Sequence, residues 1–95
     1  MAEIDKQLKM LKCMADKTRL SILTLLRDGE RCVCEIFKEL GKEQSLVSHH
    51  LAYMRKCGIV SSRQEGKKVI YKLADPSLAK LLDQVERLSD KICAD

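Results

Sequence analysis

Residues 33–57, VCEIFKELGKEQSLVSHHLAYMRKC, contain two segments of helical apolar periodicity separated by Gly41. The first segment covers residues 33–40, and the second covers residues 44–57 and is followed by another glycine. Glycine commonly ends a helix because it adopts positive φ at no steric cost. Two short helices joined by a tight turn are typical of a helix-turn-helix, whose second helix enters the major groove of DNA.

The second helix is predicted to have one apolar face and one polar face. Its apolar face consists of Val47, Leu51 and Met54, which suits it for packing on a core. The opposite face carries short polar side chains, which are able to hydrogen-bond bases and phosphates. His50 has a second role open to it, as a semi-buried support for the helix. The DNA contacts predicted from this helix are Gln44, Ser45, Ser48, His49, His50 and Arg55.

The periodicity changes to two after Gly58, where Val69, Tyr71 and Leu73 alternate with their neighbours. The segment Glu65-Gly66-Lys67 separates this run from an opposing β-branched run, and the pattern predicts a β-hairpin. A hairpin after a helix-turn-helix is a wing, and its basic side chains suit phosphates or the minor groove. The predicted wing contacts are Arg63, Lys67 and Lys68.

Amphipathic helices are predicted at both ends of the chain. Apolar residues of the last helix recur in steps of three and four, a spacing typical of helices that pair. These residues are Leu78, Leu81, Val85, Leu88 and Ile92, and those of the first helix are Ile4, Leu8, Leu11 and Ala15. We therefore expect one mainly α domain over residues 1–95, a winged helix-turn-helix of order α-α-α-α-β-β-α. We expect it to dimerise through its first and last helices.

The charge of the chain is concentrated in this DNA-reading segment. The net charge is +4, and residues 42–72 carry seven basic and two acidic side chains, a net +5. A segregated basic patch on a small domain indicates a polyanionic partner, here double-stranded DNA. The longest uninterrupted apolar run is the four residues 51–54, which excludes a membrane span or a signal-peptide core. We expect a cytoplasmic protein without a membrane partner.

Five cysteines are many for 95 residues, and in a reducing cytosol they more often serve metals, redox sensing or burial than structural disulfides. Cys32 lies where the N-cap of the residue 33–40 helix belongs, and Glu35 follows three residues later, as in a capping box. Because an N-cap residue is not helical, the sulfurs of Cys32 and Cys34 are able to converge there. A helix N-terminus favours thiolate, and thiolates prefer soft ions.

Three segments resemble the ArsR/SmtB family of metal-responsive repressors. Residues 15–23, ADKTRLSIL, resemble that family's "SDPTRLRIL" signature, residues 44–51 with 58–60 resemble its recognition helix, and residues 66–73 are similar to its wing. The resemblance implies a non-enzymatic, homodimeric repressor. It also implies dimer pairing through the first and last helices, and release from an inverted-repeat operator when an inducer binds.

Cys32-Val33-Cys34 resembles the CVC motif with which the family binds As(III) and Sb(III) or, in other branches, Cd(II) and Pb(II). The resemblance implies Cys32 and Cys34 as metal ligands and no organic cofactor. Arsenite prefers three sulfurs, and the position where arsenic sensors often supply the third is Phe37 here. Two thiolates therefore suffice, or the third ligand comes from elsewhere in the chain, namely Cys13, Cys57 or Cys93.

An alternative keeps DNA binding and replaces the metal with oxidation, in which paired thiols form a disulfide or persulfide. Cys13 and Cys93 are the pair expected from the predicted packing of the first and last helices. A thiol oxidoreductase or a pure dimerisation module is disfavoured, because each would leave the recognition-helix and wing residues unexplained.

Overall fold

The computed structural model describes residues 2–93, which form five helices and a three-stranded antiparallel sheet. This confirms the predicted winged helix-turn-helix order, with one added strand, β1, ahead of the third helix. The elements are α1 (Ala2–Met14), α2 (Lys17–Arg27), β1 (Arg31–Cys32), α3 (Val33–Leu40), α4 (Gln44–Cys57), β2 (Val60–Glu65), β3 (Lys68–Leu73) and α5 (Ser77–Ile92).

Local capping signals set the ends of the helices that carry the DNA-reading unit. The Asp16 side chain accepts a hydrogen bond of 3.0 Å from the backbone N–H of Arg19 and so caps α2. That hydrogen bond lowers the pKa of the Asp16 carboxyl below its ordinary value. Gly41 ends α3 with φ 63°, and Gly58 ends α4 with φ 85°. Residues 41–43 alone therefore join α3 to α4, which fixes these two helices as a tight pair.

The sheet connects the wing to the start of α3. β3 lies in the middle of the sheet, with β2 on one side and β1 on the other. Glu65 pairs with Lys68, so the hairpin turns through Gly66 and Lys67. Cys32 pairs with Ile70 of β3 across the other edge. The residue that precedes α3 is thus held directly by the central strand of the wing.

The core lies between α2, α3, α4, the sheet and the start of α5. Because the chain has few aromatics, aliphatic side chains fill most of this core. The buried residues are Cys13, Met14, Ile22, Leu23, Leu26, Ile36, Val47, Leu51, Met54, Ile59, Val60, Tyr71, Leu78 and Leu82. The predicted inward face of α4 is confirmed, since its three apolar residues are fully buried.

The apolar stripe of α1 faces away from the core, since Ile4, Leu8 and Leu11 are 53%, 46% and 55% exposed. The predicted stripe of α5 divides into two parts. Its first residues pack on the protomer's own core, where Leu78 is buried and Leu81 is half-buried. Its later residues are exposed: Val85, Leu88 and Ile92. The later part of the stripe is therefore available to meet another surface.

None of the helices within residues 2–93 combines the length and the apolar character needed to cross a bilayer.

Candidate DNA-binding surface and thiol site

The outer face of α4 presents the polar residues that the sequence predicts as base contacts. α4 is anchored by its buried stripe and by contacts with α1, α2, α3 and β2. On the side away from the core, four predicted contacts are exposed together along the first half of the helix: Gln44, Ser45, Ser48 and His49. A rigid helix with an uncovered polar face is able to enter the major groove.

His50 takes the support role rather than a position among the exposed DNA contacts. Its side chain is only 15% exposed. Its Nδ1 lies 3.4 Å from Nη1 of Arg19, and its Nε2 lies 4.0 Å from a carboxylate oxygen of Asp16. The direction of the side chain follows from helix geometry, since adjacent residues point about 100° apart. The two histidines therefore differ in exposure, and the contacts of His50 agree with the support role that the sequence left open for it.

The wing residues differ in what they contact. Nη1 and Nη2 of Arg63 donate hydrogen bonds of 2.8 and 2.6 Å to the two carboxylate oxygens of Glu30, and Nη2 also donates to Glu65 at 2.9 Å. These hydrogen bonds raise the pKa of Arg63 above its ordinary value and lower that of Glu30. Lys67 and Lys68 are exposed at the tip of the hairpin. The tip lysines are thus better placed than Arg63 to meet phosphate.

Arg55, near the end of α4, donates a hydrogen bond of 3.2 Å to the hydroxyl of Ser62 on β2. Its side chain is otherwise exposed. This bond ties the last turn of the recognition helix to the wing, while guanidinium donors remain for a phosphate.

The two cysteines of the CVC segment meet at the start of α3. Cys32 is the N-cap, with extended backbone angles, and its N–H donates a hydrogen bond of 3.0 Å to the Glu35 carboxylate. The Cα atoms of Cys32 and Cys34 are 5.2 Å apart, and their sulfurs are joined as a disulfide. Cys32 is buried, whereas Cys34 is half-buried. The expected convergence of the two sulfurs at this cap is therefore observed.

The thiol pair shares a groove with both DNA-reading elements. A cavity of about 220 Å³ is lined by the start of α3, by the first turns of α4 and by the tip of the wing. Its lining residues are Cys32, Val33, Cys34, Gln44, Ser48, Lys67, Lys68 and Val69. The sequence contains no local signal for this neighbourhood, because its parts lie far apart along the chain. Only the topology of the winged helix brings them together.

The other cysteines lie elsewhere. Cys13 is fully buried at the end of α1, and Cys57 is half-buried at the end of α4. Burial, together with the influence of the nearby Cys57 thiol, raises the pKa of Cys13 to about 12. Cys93 is exposed just after α5. The thiol that acts on the pKa of Cys13 within one protomer is thus that of Cys57, and the pairing of Cys13 with Cys93 stays a prediction.

Over residues 2–93 of a single chain, no group of three or more His, Cys, Asp or Glu side chains is arranged to hold a metal ion. Within one protomer, neither Cys13 nor Cys93 therefore completes a three-ligand set with the CVC pair.

Comparisons with known proteins identify the family. The family model described as "Bacterial regulatory protein, arsR family" matches residues 16–62. An HTH-type transcriptional regulator of Methanocaldococcus jannaschii is 39% identical over 89 residues, which cover 93% of this chain and 100% of that protein. The arsenical resistance operon repressor of Escherichia coli is 39% identical over 85 residues, which cover 84% of this chain and 72% of that protein.

A solved structure agrees with this assignment. The solution structure of a homodimeric winged helix-turn-helix DNA-binding domain from Mycobacterium bovis superposes with a TM-score of 0.87 at 32% identity. The match covers 95% of this chain and 83% of that one. The exposed polar face of α4, the basic wing and these relatives lead to one conclusion. The chain belongs to the arsR family of bacterial regulatory proteins and is a DNA-binding transcriptional regulator rather than an enzyme.

Proposed function

We propose that the protein is a homodimeric repressor that leaves its operator when a soft metal ion binds Cys32 and Cys34. As(III) and Sb(III) are the first candidates for the inducer, and Cd(II) and Pb(II) follow. The observation that carries the proposal is the groove in which Cys32 and Cys34 lie beside Ser48 of the recognition helix and Lys67 of the wing. Metal binding at the two thiols would therefore take place beside both the recognition helix and the wing.

DNA binding is proposed to use the exposed face of α4 for bases and the wing for phosphate. Ser48 and His49 are short or planar polar groups suited to base edges, and Lys67 is suited to a phosphate oxygen. The remaining proposed contacts are Gln44, Ser45, Arg55, Lys68 and, with less of its guanidinium free, Arg63. His50 acts in this proposal through its contact with Arg19, which helps to hold the helix.

The dimer is proposed to form through α1 and the later part of α5. Support comes from the exposed apolar stripes on these two helices, which would otherwise remain in water. The Mycobacterium bovis domain, whose fold is similar, is homodimeric. Two-fold symmetry of such a dimer requires an inverted-repeat operator with half-sites about one helical turn, or a multiple of it, apart.

Cys32 and Cys34 fit a soft ion by their donor chemistry. Once reduced, they offer two thiolates at a helix N-terminus, where the helix dipole favours negative charge. A soft ion bound there supplies metal–thiolate bonds, which hold the two sulfurs in a fixed arrangement. A third ligand, where the ion requires one, is proposed to come from Cys93 of the partner subunit or from a small thiol in solution. Cys13 is less suited because it is fully buried.

The thiol-redox alternative also has a specific observation in its favour. The sulfurs of Cys32 and Cys34 are joined as a disulfide, so the same pair is able to respond to oxidation. Hydrogen peroxide would oxidise the two thiols to the disulfide and would itself be reduced to two molecules of water. The metal-responsive and the redox versions both act at the N-cap of α3. They differ only in whether a metal ion or an oxidant reacts with the two sulfurs.

The deciding experiment titrates the reduced protein on its operator with As(III), Sb(III), Cd(II), Pb(II), Zn(II) and hydrogen peroxide, while ultraviolet absorption follows thiolate–metal bonds. Release by As(III) or Sb(III), with a matching absorption band, supports the metal-responsive repressor. Release by peroxide alone, without a metal response, supports the redox alternative. If none of these reagents changes operator affinity, both versions are wrong.

A further inference from the structure

The outward face of α4 continues past the predicted base contacts. Tyr53 follows His49 by four residues, and Lys56 follows Tyr53 by three, so helical spacing places these side chains on the same side of the helix. Both Tyr53 and Lys56 are exposed. The proposed function assigns no role to either residue. The second half of the recognition helix therefore presents a polar surface that is continuous with the proposed DNA-reading face.

The length of α4 indicates what this surface meets. The helix contains 14 residues, which extend over about 21 Å at a rise of about 1.5 Å per residue. The major groove is about 12 Å wide, and a recognition helix contacts base edges with its N-terminal residues. When the first turns of α4 lie at the bases, its last two turns therefore extend to the sugar–phosphate backbone.

The surface around Tyr53 also continues onto α1. A cavity of about 240 Å³ lies between α1 and α4, and its lining residues are Asp5, Leu8, Lys9, Lys12 and Tyr53. The guanidinium of Arg19 stacks on the ring of Tyr53 and donates a hydrogen bond of 3.2 Å to the carbonyl oxygen of Lys12. Lys12 and Tyr53 thus line one small cavity and are held together through a third side chain.

The charge of this cavity suits an anion. Two lysines and one aspartate line it, a net +1. Asp5 precedes Lys9 by four residues on α1, a spacing at which opposite charges offset one another. Within residues 2–93, the ion pairs do not include Lys12, so its ammonium is available to a phosphate oxygen. Lysine ammonium and tyrosine hydroxyl groups are both common donors to the DNA backbone.

We propose that Lys12 of α1 and Tyr53 of α4 form a phosphate-binding subsite, which contacts the DNA backbone beside the major groove that α4 enters. The inference rests on the proposed DNA-reading face of α4 and adds a contact from α1 to it. Lys12 lies outside the basic segment 42–72, so the distribution of charge along the chain does not indicate this contact. The same helix then takes part in both subunit pairing and DNA binding.

A partner subunit is the competing occupant of the cavity, because Leu8 belongs to the outward-facing apolar stripe of α1 and also lines the cavity. Lys12 follows Leu11 of that stripe by one residue and therefore points about 100° away from it around the helix. The stripe and Lys12 thus face different directions. Together with the net positive charge, this favours a DNA phosphate over an apolar surface of a second subunit.

The first test measures affinity for the operator and for a scrambled duplex over a range of salt concentrations. Lys12→Gln should reduce the slope of log K against log salt by about one unit and weaken both duplexes by a similar factor. Tyr53→Phe removes the hydroxyl but keeps the ring that stacks with Arg19. It should lower both affinities by about threefold or more. Circular dichroism and sedimentation velocity should show both variants folded and dimeric.

The matched control is Lys6→Gln, which makes the same change of charge on α1. Lys6 points about 120° away from Lys12 around the helix and lines a different cavity, beside the start of α5. Its salt slope should stay close to that of the wild type. An equal loss of slope in Lys6→Gln and Lys12→Gln would overturn the inference, because the effect would then reflect net charge alone.

Lys67→Ala, measured in parallel, separates this inference from the proposed wing contact. If Lys67→Ala reduces the salt slope and Lys12→Gln does not, the subsite is wrong while the wing contact stands. If neither variant reduces the slope, both are wrong. If Lys12→Gln changes sedimentation rather than the salt slope, the cavity belongs to the dimer interface and the inference is overturned.

The second test locates the phosphate. Each phosphate of one operator half-site is replaced in turn by an uncharged methylphosphonate. At one position, the replacement should lower the affinity of the wild type by about threefold or more but leave that of Lys12→Gln unchanged, because the variant has already lost the contact. If the effect of every replacement is the same in the wild type and in Lys12→Gln, the inference is overturned.

Discussion

The guanidinium of Arg19, on α2, lies over the ring of Tyr53, on α4, with 4.7 Å between its central carbon and the ring centre. The same guanidinium donates hydrogen bonds to the carbonyl oxygens of Lys12 and Cys13 at the end of α1. One side chain therefore connects the helix proposed to pair subunits with the helix proposed to read DNA. A planar, five-donor cation suits this position because it stacks and hydrogen-bonds at once.

Arg19→Lys should weaken operator binding while leaving the protein folded. Lysine keeps the charge but loses the stacking and the fork of donors, which should lower the free energy of unfolding by about 1–2 kcal/mol. Chemical denaturation and operator titration measure the two effects. The matched control is Arg27→Lys on the same helix, whose ion pairs link α2 to the exposed Asp83 and Glu86 of α5 rather than to α4, so operator binding should change little. Equal operator affinity in the two variants would contradict the account.

His49 and His50 should behave differently when each is replaced by alanine. His49→Ala removes an exposed side chain of the recognition face and should cost about 1–3 kcal/mol of specific binding with little change in stability. His50→Ala removes the contact with Arg19 and should lower the melting temperature more than His49→Ala does. Operator titration against a scrambled duplex, together with thermal unfolding, separates the two. If His50→Ala instead lowers specific operator affinity and His49→Ala lowers the melting temperature, the base contact belongs to His50.

Lys67→Ala at the wing should weaken binding to all duplexes by a similar factor and reduce the slope of log K against log salt by about one unit. A phosphate contact carries no sequence information, which is why the loss should be uniform. Arg63→Gln is the informative comparison, because its guanidinium already bonds Glu30 and Glu65. Its salt slope should change less than that of Lys67→Ala, and an equal change would show that the Glu30 contact opens on DNA.

Leu88→Glu should convert the proposed dimer into a monomer and lower operator affinity. Leu88 is 41% exposed in the protomer, so the substitution places a charge in the interface without disturbing the protomer's own core. Sedimentation velocity reports the change. Arg87→Gln alters the net charge by the same amount at an exposed residue that points about 100° away around α5, and it should remain dimeric. If the Leu88→Glu protein sediments as a dimer, the interface does not lie on the apolar stripe of α5.

Much of the fold was predictable because its signals are local. The Asp16 cap and the glycines after α3 and α4 mark helix ends through bonds and angles within a few residues. The alternation around Tyr71 likewise marks β3 without reference to the rest of the chain. β1 was missed because two residues show no periodicity, and Arg31 and Cys32 are a strand only through their pairing with β3.

The parts of the site that depend on packing were harder to predict. The contacts of Arg19 with His50 and with Tyr53 each join helices that are distant along the chain. The periodicity of a helix indicates which face is buried, but not which neighbour that face meets. For the same reason, the nearness of Cys34 to Ser48 and Lys67 in one groove became apparent only with the folded chain.

The most direct measurement of the central claim is the operator affinity of the reduced protein with and without As(III), in wild type and in Cys32→Ser and Cys34→Ser. Serine keeps a capping group at Cys32 but is a poor ligand for a soft ion. As(III) should lower the affinity of the wild type and of the Cys57→Ser control by about fivefold or more. As(III) should not release the Cys32→Ser or the Cys34→Ser variant from the operator. Release of a Cys32→Ser, Cys34→Ser double variant by As(III) would contradict the account, because the inducer would then bind elsewhere.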